Sequence, residues 1–230
     1  MKNILLILIA FLLSAFSVTA QQPYFNTEEG QVLHYERFKT GAKKPFQTTR
    51  IEFDSVRNTP DGQRIYHDML VKKANGRANY GGNIAMISDI NRQNDVSMDL
   101  GQTITMIIKN YFPNAKTRSE GTQAIMPARM QPGDALPEAH AVVRAGSLKF
   151  TVDVTERTVL RNETLTTPAG TFNCVVIREH KVEKGPMYLN DRWSMNWYAR
   201  GIGYIRHDNL DKHMEVEESE ILVRIEPSLK

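Results

Sequence analysis

Apolar and polar residues alternate one by one through long stretches of this chain. Leu148, Phe150, Val152 and Val154 interleave with Lys149, Thr151, Asp153 and Thr155. Successive side chains of a β-strand point to opposite faces, so this pattern describes a strand with one buried and one wet face. Ile51 and Phe53 alternate likewise with Arg50, Glu52 and Asp54. Near the C-terminus Ser219, Ile221, Val223 and Ile225 oppose Glu218, Glu220 and Arg224. Segments 31–38, 64–73, 172–182, 188–199 and 202–208 bring the set to eight long strands. Asp61-Gly62 and Gly185-Pro186 are turn dipeptides, and the polar stretch 209–212 is expected to close a hairpin. The pattern specifies a mainly all-β protein.

One segment departs from that rhythm. Ile104, Ile107, Ile108 and Tyr111 form a helical stripe, so a short helix is expected near 102–112 with Thr103 as N-cap. Pro113 stops it, because proline lacks the amide hydrogen that a helix interior requires. Residues 126–137, with Pro127, Pro132, Gly133 and Pro137, read as an irregular connection. Neither half of the chain carries a complete pattern of its own, so one β-rich domain is expected over 21–230.

The N-terminus reads as an export signal. Lys2 precedes an apolar run from Ile4 to Leu13, and the small residues before Gln21 place cleavage after Ala20. The run is shorter than the roughly 20 residues of a membrane span, and no later stretch qualifies. Cys174 is the only cysteine, which excludes an intramolecular disulfide, a Cys-rich zinc site and lipidation beside the cleavage point. The mature protein is therefore expected in soluble form in a periplasm or outside the cell. The whole chain carries 29 basic and 26 acidic side chains, a balance that does not fit a nucleic-acid binder.

Three elements are familiar in their order. Met126-Pro127 through Asp134-Ala135-Leu136-Pro137 carries a "P…GD.LP" pattern. Thr167-Pro168-Ala169-Gly170-Thr171-Phe172-Asn173-Cys174 and Trp197-Tyr198-Ala199-Arg200-Gly201-Ile202-Gly203 follow, and Ser219-Glu220-Ile221-Leu222 looks like a closing strand. Together they resemble the DUF3108/TapB-like family of exported bacterial proteins, over roughly residues 25 to 226. The signal and the Gln21 start resemble members from Bacteroidetes. The resemblance implies a curved, mostly antiparallel sheet, half-barrel-like, with short helical insertions. It brings no catalytic residues with it.

Most motifs have a structural explanation. In Thr167–Gly170, proline fixes φ and glycine permits a positive φ, which together make a turn. Gly201 and Gly203 allow a bulge or a close backbone contact. Cys174 has no hydrolase signature around it and reads as a small buried hydrophobe. His207 and His213 would face each other if the intervening turn were three residues long. A shared zinc would still need further ligands there, and Asp and Asn are ordinary turn residues. No nucleophile elbow, zincin motif, phosphate loop or dinucleotide fingerprint occurs. Gly76–Gly82 reads as a flexible hairpin, and Asp54-Ser55-Val56 resembles a short O-glycosylation acceptor. No cofactor or metal is expected.

One feature points to a site. Leu189, Trp193, Met195 and Trp197 share a strand face, opposite Arg192, Ser194 and Asn196, and include both tryptophans of the chain. The stripe either packs against the 102–112 helix or lines a pocket for an apolar ligand, as in small β-barrels. The functional expectation is an exported, non-catalytic envelope protein that binds an apolar small molecule, a glycan or an envelope partner protein. The alternative is a hydrolase with an unrecognised active site.

Overall fold

The computed structural model describes residues 21–228, so the export segment lies outside the described residues. Thirteen strands form one sheet. In chain order they are β1 (Val32–Lys39), β2 (Gln47–Thr59), β3 (Gly62–Lys73), β4 (Ile84–Asn91) and β5 (Val96–Met98). After the helix α1 (Leu100–Tyr111) come β6 (Thr117–Gly121), β7 (Ala124–Met126), β8 (Ala139–Ala145) and β9 (Leu148–Thr167). Then follow β10 (Gly170–Gly185), β11 (Tyr188–Ala199), β12 (Gly203–Leu210) and β13 (Val216–Glu226). All pairings between them are antiparallel. The spatial order is β6-β8-β9-β10-β11-β12-β13-β1-β2-β3-β4-β5-β7. The mainly β, antiparallel expectation is met.

The sheet curls until its ends come together. The segment 127–138 runs from β7, at one end of the strand order, to β8, near the other. On the way it adds to β9 beyond the reach of β8. Gly133 N–H donates to Val159 O (2.8 Å), Val159 N–H to Asp134 O (2.9 Å) and Leu136 N–H to Arg157 O (2.8 Å). The "GD.LP" element is thus a stitch along β9. Arg157, 5% exposed, completes the seam. Its Nη1 donates to Ile125 O of β7 (2.8 Å) and Pro137 O (2.7 Å), and its Nε to Glu179 of β10 (3.3 Å). A guanidinium can serve three acceptors in a fixed fork, which suits a junction of three segments.

Alternation sets which face is enclosed. Leu33, Tyr35, Ile51, Phe53, Ile65, Val159, Val175, Ile177, Ile205 and Leu222 are buried on the inner face. The outer face of the neighbouring strands carries Arg50–Glu52 and Arg224–Glu226 ion pairs. The N-terminal segment caps one end of the curl, where Phe25 lies 5.7 Å from Phe53 and 5.4 Å from His67, centroid to centroid.

The helix forms where expected, but its cap differs. Asp99, not Thr103, is the N-cap, and its carboxylate accepts from Gly101 N–H (2.8 Å) and Gln102 N–H (3.1 Å). A carboxylate at the positive end of a helix outperforms a threonine one turn in. The helix contacts β4 on one side and β6, β8 and β9 on the other, across the region where the sheet ends approach. Strand β9 is longer than its alternating stretch. It continues past a bulge beside Glu156 (φ +50°), which resets its register with β10.

Candidate functional site

The inner face divides into two chemistries. Toward one end it is aliphatic and aromatic, and toward the other it becomes polar, strand by strand. Direct cross-strand partners share a face, and the pairs Arg37↔Glu220, Glu220↔His207 and His207↔Asn196 carry that polarity across β1, β13, β12 and β11. Thr49 Oγ1 donates to Glu220 Oε1 (2.6 Å), and Arg37 Nη2 donates to Glu220 Oε2 (2.9 Å). Asn209 Nδ2 donates to Glu218 (3.2 Å). Thr49, Glu220, Asn196 and Ser194 are all buried. Tyr35 and Tyr204 stack beneath this chain at 4.2 Å, and burial raises both phenol pKa values well above their usual value.

His207 sits in that chain, 2.5 Å from Asn196 Oδ1 and 3.0 Å from Asn209 Oδ1. Burial first, and then the charges of Arg37 and Lys181, push its pKa down to about 3. The ring is therefore neutral. A neutral imidazole carries a single N–H, so it donates to one of these two amide oxygens, and Asn196 Nδ2 donates to Ser194 Oγ (3.3 Å).

The candidate residues of β11 do share a face, the one opposite this polar chain. Ser194 and Asn196, which the alternation assigned to the wet side, are the enclosed ones, at 3% exposure each. The reason is that the interior is polar here, so polarity no longer marks solvent. Trp197 is buried between its cross-strand neighbours Val176 and Arg206, whose guanidinium lies 4.9 Å from the ring centroid. Met195 and Trp193 are half-buried, and Leu189 is 63% exposed. The His180 ring stacks on Trp193 at 4.9 Å and 22°, with the Arg178 guanidinium at 5.0 Å. The stripe thus grades from buried to solvent-exposed along one strand.

At its outer end the stripe meets a cleft. Strand β11 extends past its last pair with β12, Trp193↔Leu210, so the β10–β11 hairpin projects beyond the 211–215 turn. The notch between them is an open cleft of about 680 Å³, with Trp193, Leu210 and Met214 as apolar walls and Arg192, Lys212 and Glu217 around it. A larger cleft, about 1180 Å³, lies at the opposite end of the strands, beside Arg92, Arg129 and Arg200. Two of these arginines are already engaged with backbone. Arg200 donates to Gln22 O (2.6 Å) and Ala128 O (2.7 Å), and Arg92 to Pro60 O.

The remaining chemical candidates are dispersed. Cys174 is buried, and burial pushes its thiol pKa up to about 12. Its Sγ contacts only Phe172 O at 3.7 Å among hydrogen-bond partners of the described residues. His213 lies in the five-residue turn 211–215 and does not face His207, whose cross-strand partner is Glu220. The loop is five residues long, so the condition for that facing pair is not met. Asp211 needs the longer loop to accept from the N–H groups of His213 and Glu215. Among the described residues no three His, Cys, Asp or Glu side chains converge on a metal-sized point.

Against known proteins, the profile of the DUF3108-like family matches residues 28–222. The chain belongs to the DUF3108-like family. A Bacteroides fragilis protein of YmcC-like fold, described as exported, superposes with a TM-score of 0.70 at 20% identity. The match covers 89% of this chain and 99% of that one. A Parabacteroides distasonis protein described as a lipoprotein gives 0.69 at 16% identity, over 89% of this chain and 99% of that one. At these identities the likeness establishes the fold alone. No curated protein matches the chain.

Arg157 and the Thr49–Glu220–His207–Asn196 chain were not singled out from sequence. Arg157 sits in the run Thr155-Glu156-Arg157-Thr158, whose polarity looks like an ordinary wet face. The only signal was the proximity of Glu156–Arg157 to the end of a clean alternation, which marks the bulge.

Proposed function

We propose that this protein is an exported, non-catalytic binding component of the cell envelope, and that its ligand is an apolar or amphiphilic molecule received along the Leu189–Trp193–Met195 stripe. The observation that carries the reading is the cleft at Trp193. An indole held in place by His180 on β10 forms, with Leu210 and Met214, an apolar wall rimmed by charged groups. Aromatic side chains offer large apolar area with little conformational entropy to lose, which favours them in ligand clefts. Trp197 is buried and anchors the inner end of the stripe. The non-catalytic part of the reading is supported by the state of the nucleophile. A thiol whose pKa is pushed up to about 12, by burial first and then by the cross-strand Glu163 carboxylate, offers almost no thiolate near neutrality.

Titration of residues 21–230 with fatty acids and phospholipids, read by tryptophan emission, tests this. Binding is expected in the wild type, with Trp193→Ala still folded and weakened about tenfold or more. Trp197→Ala is expected to lose stability instead. Silence of the wild type toward every ligand, or unchanged affinity in Trp193→Ala, overturns the site. Turnover of simple esters that disappears in Cys174→Ala overturns the non-catalytic reading.

A further inference from the structure

The turns at one end of the strands differ in kind from the rest of the surface. That end consists of loops 40–46, 74–83, 112–116, 146–147, 186–187 and 211–215, as the pairings Lys39↔Glu218, Gln47↔Lys73, Ala145↔Leu148 and Gly185↔Tyr188 require. The C-terminus of α1 joins them, because Asn110 Nδ2 donates to Tyr80 O (3.0 Å) and Asn83 O (2.7 Å). Every large hydrophobic side chain exposed among the described residues lies here. They are Tyr80, Tyr111, Phe112, Leu148, Met187, Tyr188, Leu189 and Met214, with Met187 at 98% exposure.

The same end collects the lysines. All eleven lysines between residues 21 and 228 lie in these loops, in the strand ends that feed them or in the last turn of α1. Among the described residues only Lys181 makes an ion pair, with Glu183 at 3.2 Å, and the other ten are exposed. The acids nearby are largely engaged. Asp211 accepts from backbone N–H groups, Asp191 faces His180 (2.7 Å) and Glu217 faces Arg192 (3.6 Å). Exposed apolar tips set among unpaired ammonium groups complement one kind of surface. An anionic bilayer accepts aromatic and methionine side chains at its interface while its phosphates attract lysine heads on flexible stems.

We propose that this end of the sheet docks on an anionic membrane surface, with the Met187–Leu189 hairpin tip, Leu148, Phe112 and Met214 entering the headgroup layer. The projection of the β10–β11 hairpin past β12 puts Met187 and Tyr188 at the leading tip of that hairpin. The cleft at Trp193 opens beside it, which would give an amphiphilic ligand a direct route from the bilayer, although the docking does not depend on that ligand.

Sedimentation of residues 21–230 with phosphatidylcholine vesicles, with and without phosphatidylglycerol, tests the proposal. Binding is expected to the anionic vesicles and to fall as salt is raised. The triple variant Lys43→Glu, Lys44→Glu, Lys212→Glu is expected to bind them at least about a hundredfold more weakly while unfolding like the wild type. Met187→Ser with Leu189→Ser is expected to weaken binding while leaving the response to salt in place. Equal binding to neutral vesicles, no binding to either, or an unaffected triple variant overturns the proposal. So does binding to a soluble polyanion without vesicle binding, which would assign the lysines to a polysaccharide or acidic protein. Trp193→Ala separates this from the ligand reading, because it is expected to keep vesicle binding even where ligand affinity is lost.

Discussion

The two ends of the strands carry the same sign of charge and use it oppositely. At the end holding the N-terminal segment, and along the seam, arginines bind backbone. Arg92 reaches Pro60 O, Arg200 reaches Gln22 O and Ala128 O, and Arg157 reaches Ile125 O and Pro137 O. At the other end ten exposed lysines make no ion pair among the described residues. Two of the turns contrast in the same way. A Cβ on Gly62, in the β2–β3 turn of the arginine end, would lie 2.0 Å from Ile90 O, whereas one on Gly41 in the lysine-rich 40–46 loop would meet nothing within 4 Å. Arginine's planar fork suits fixed multidentate contacts, and lysine's flexible, strongly hydrated head suits a diffuse partner. Where this protein has to close its own sheet it uses the first. Where the surface is open it uses the second.

Removal of a seam arginine should therefore produce the largest effect. Arg157→Ala leaves the Glu179 carboxylate short of its partner and strips the carbonyls of Ile125 and Pro137 of a donor. A loss of about 3–5 kcal/mol is expected in chemical denaturation, the range for breaking a buried pair from one side. A change below about 1 kcal/mol would mean that the sheet stays closed without its stitch, and the contrast between the ends would lose its structural half.

An intermediate effect comes from the two enclosed histidines, one in each half of the interior. His67 lies among Phe25 and Phe53, and burial lowers its pKa to about 4. His207, in the polar half, is lowered to about 3. Both are neutral in the folded protein, whereas in the unfolded chain they take up protons as pH falls through about 6.5. Stability is thus complete above that value and falls on acidification, until the folded-state pKa values are reached. Each histidine contributes a slope of up to about 1.4 kcal/mol per pH unit. Denaturation midpoints at pH 7 and 5 check this, and His67→Leu is expected to remove about half of the dependence. Equal stability at the two pH values would break it.

The sequence disclosed the frame of the fold more readily than its closure. Strands β2, β9 and β13 announced themselves because apolar and polar residues alternate along them, and α1 because Ile104, Ile107 and Ile108 recur at helical spacing. Strands β5 and β7 are three residues long, too short for a period to emerge. In β8 the buried face is Ala139, Ala141 and Val143, whose small side chains barely rise above their neighbours. The resemblance carried by "GD.LP" located a family-like segment but not its task, since stitching to β9 depends on partners more than twenty residues away. The Trp193–Trp197 stripe was legible as a stripe. That its polar reverse is the enclosed side was not, because alternation tells two faces apart without telling which one the sheet wraps around.

The smallest effect is expected where charge is densest. Lys43 and Lys44 are exposed in the 40–46 loop, and no ion pair holds either one. A lysine of this kind adds little to the folded state beyond mild repulsion of its neighbours, which salt screens over about 10 Å. Reversal of both, Lys43→Glu with Lys44→Glu, should shift unfolding by no more than about 0.5 kcal/mol in either direction. The shift should shrink further as salt is added. A measured loss of more than about 1 kcal/mol would show that the lysine end, like the arginine end, builds the fold, and its charge would then need no outside partner to explain it. A null shift leaves ten solvated ammonium groups and eight exposed apolar side chains on one end of the molecule with no role in holding it together. Their concentration there then has to be explained by what that end meets.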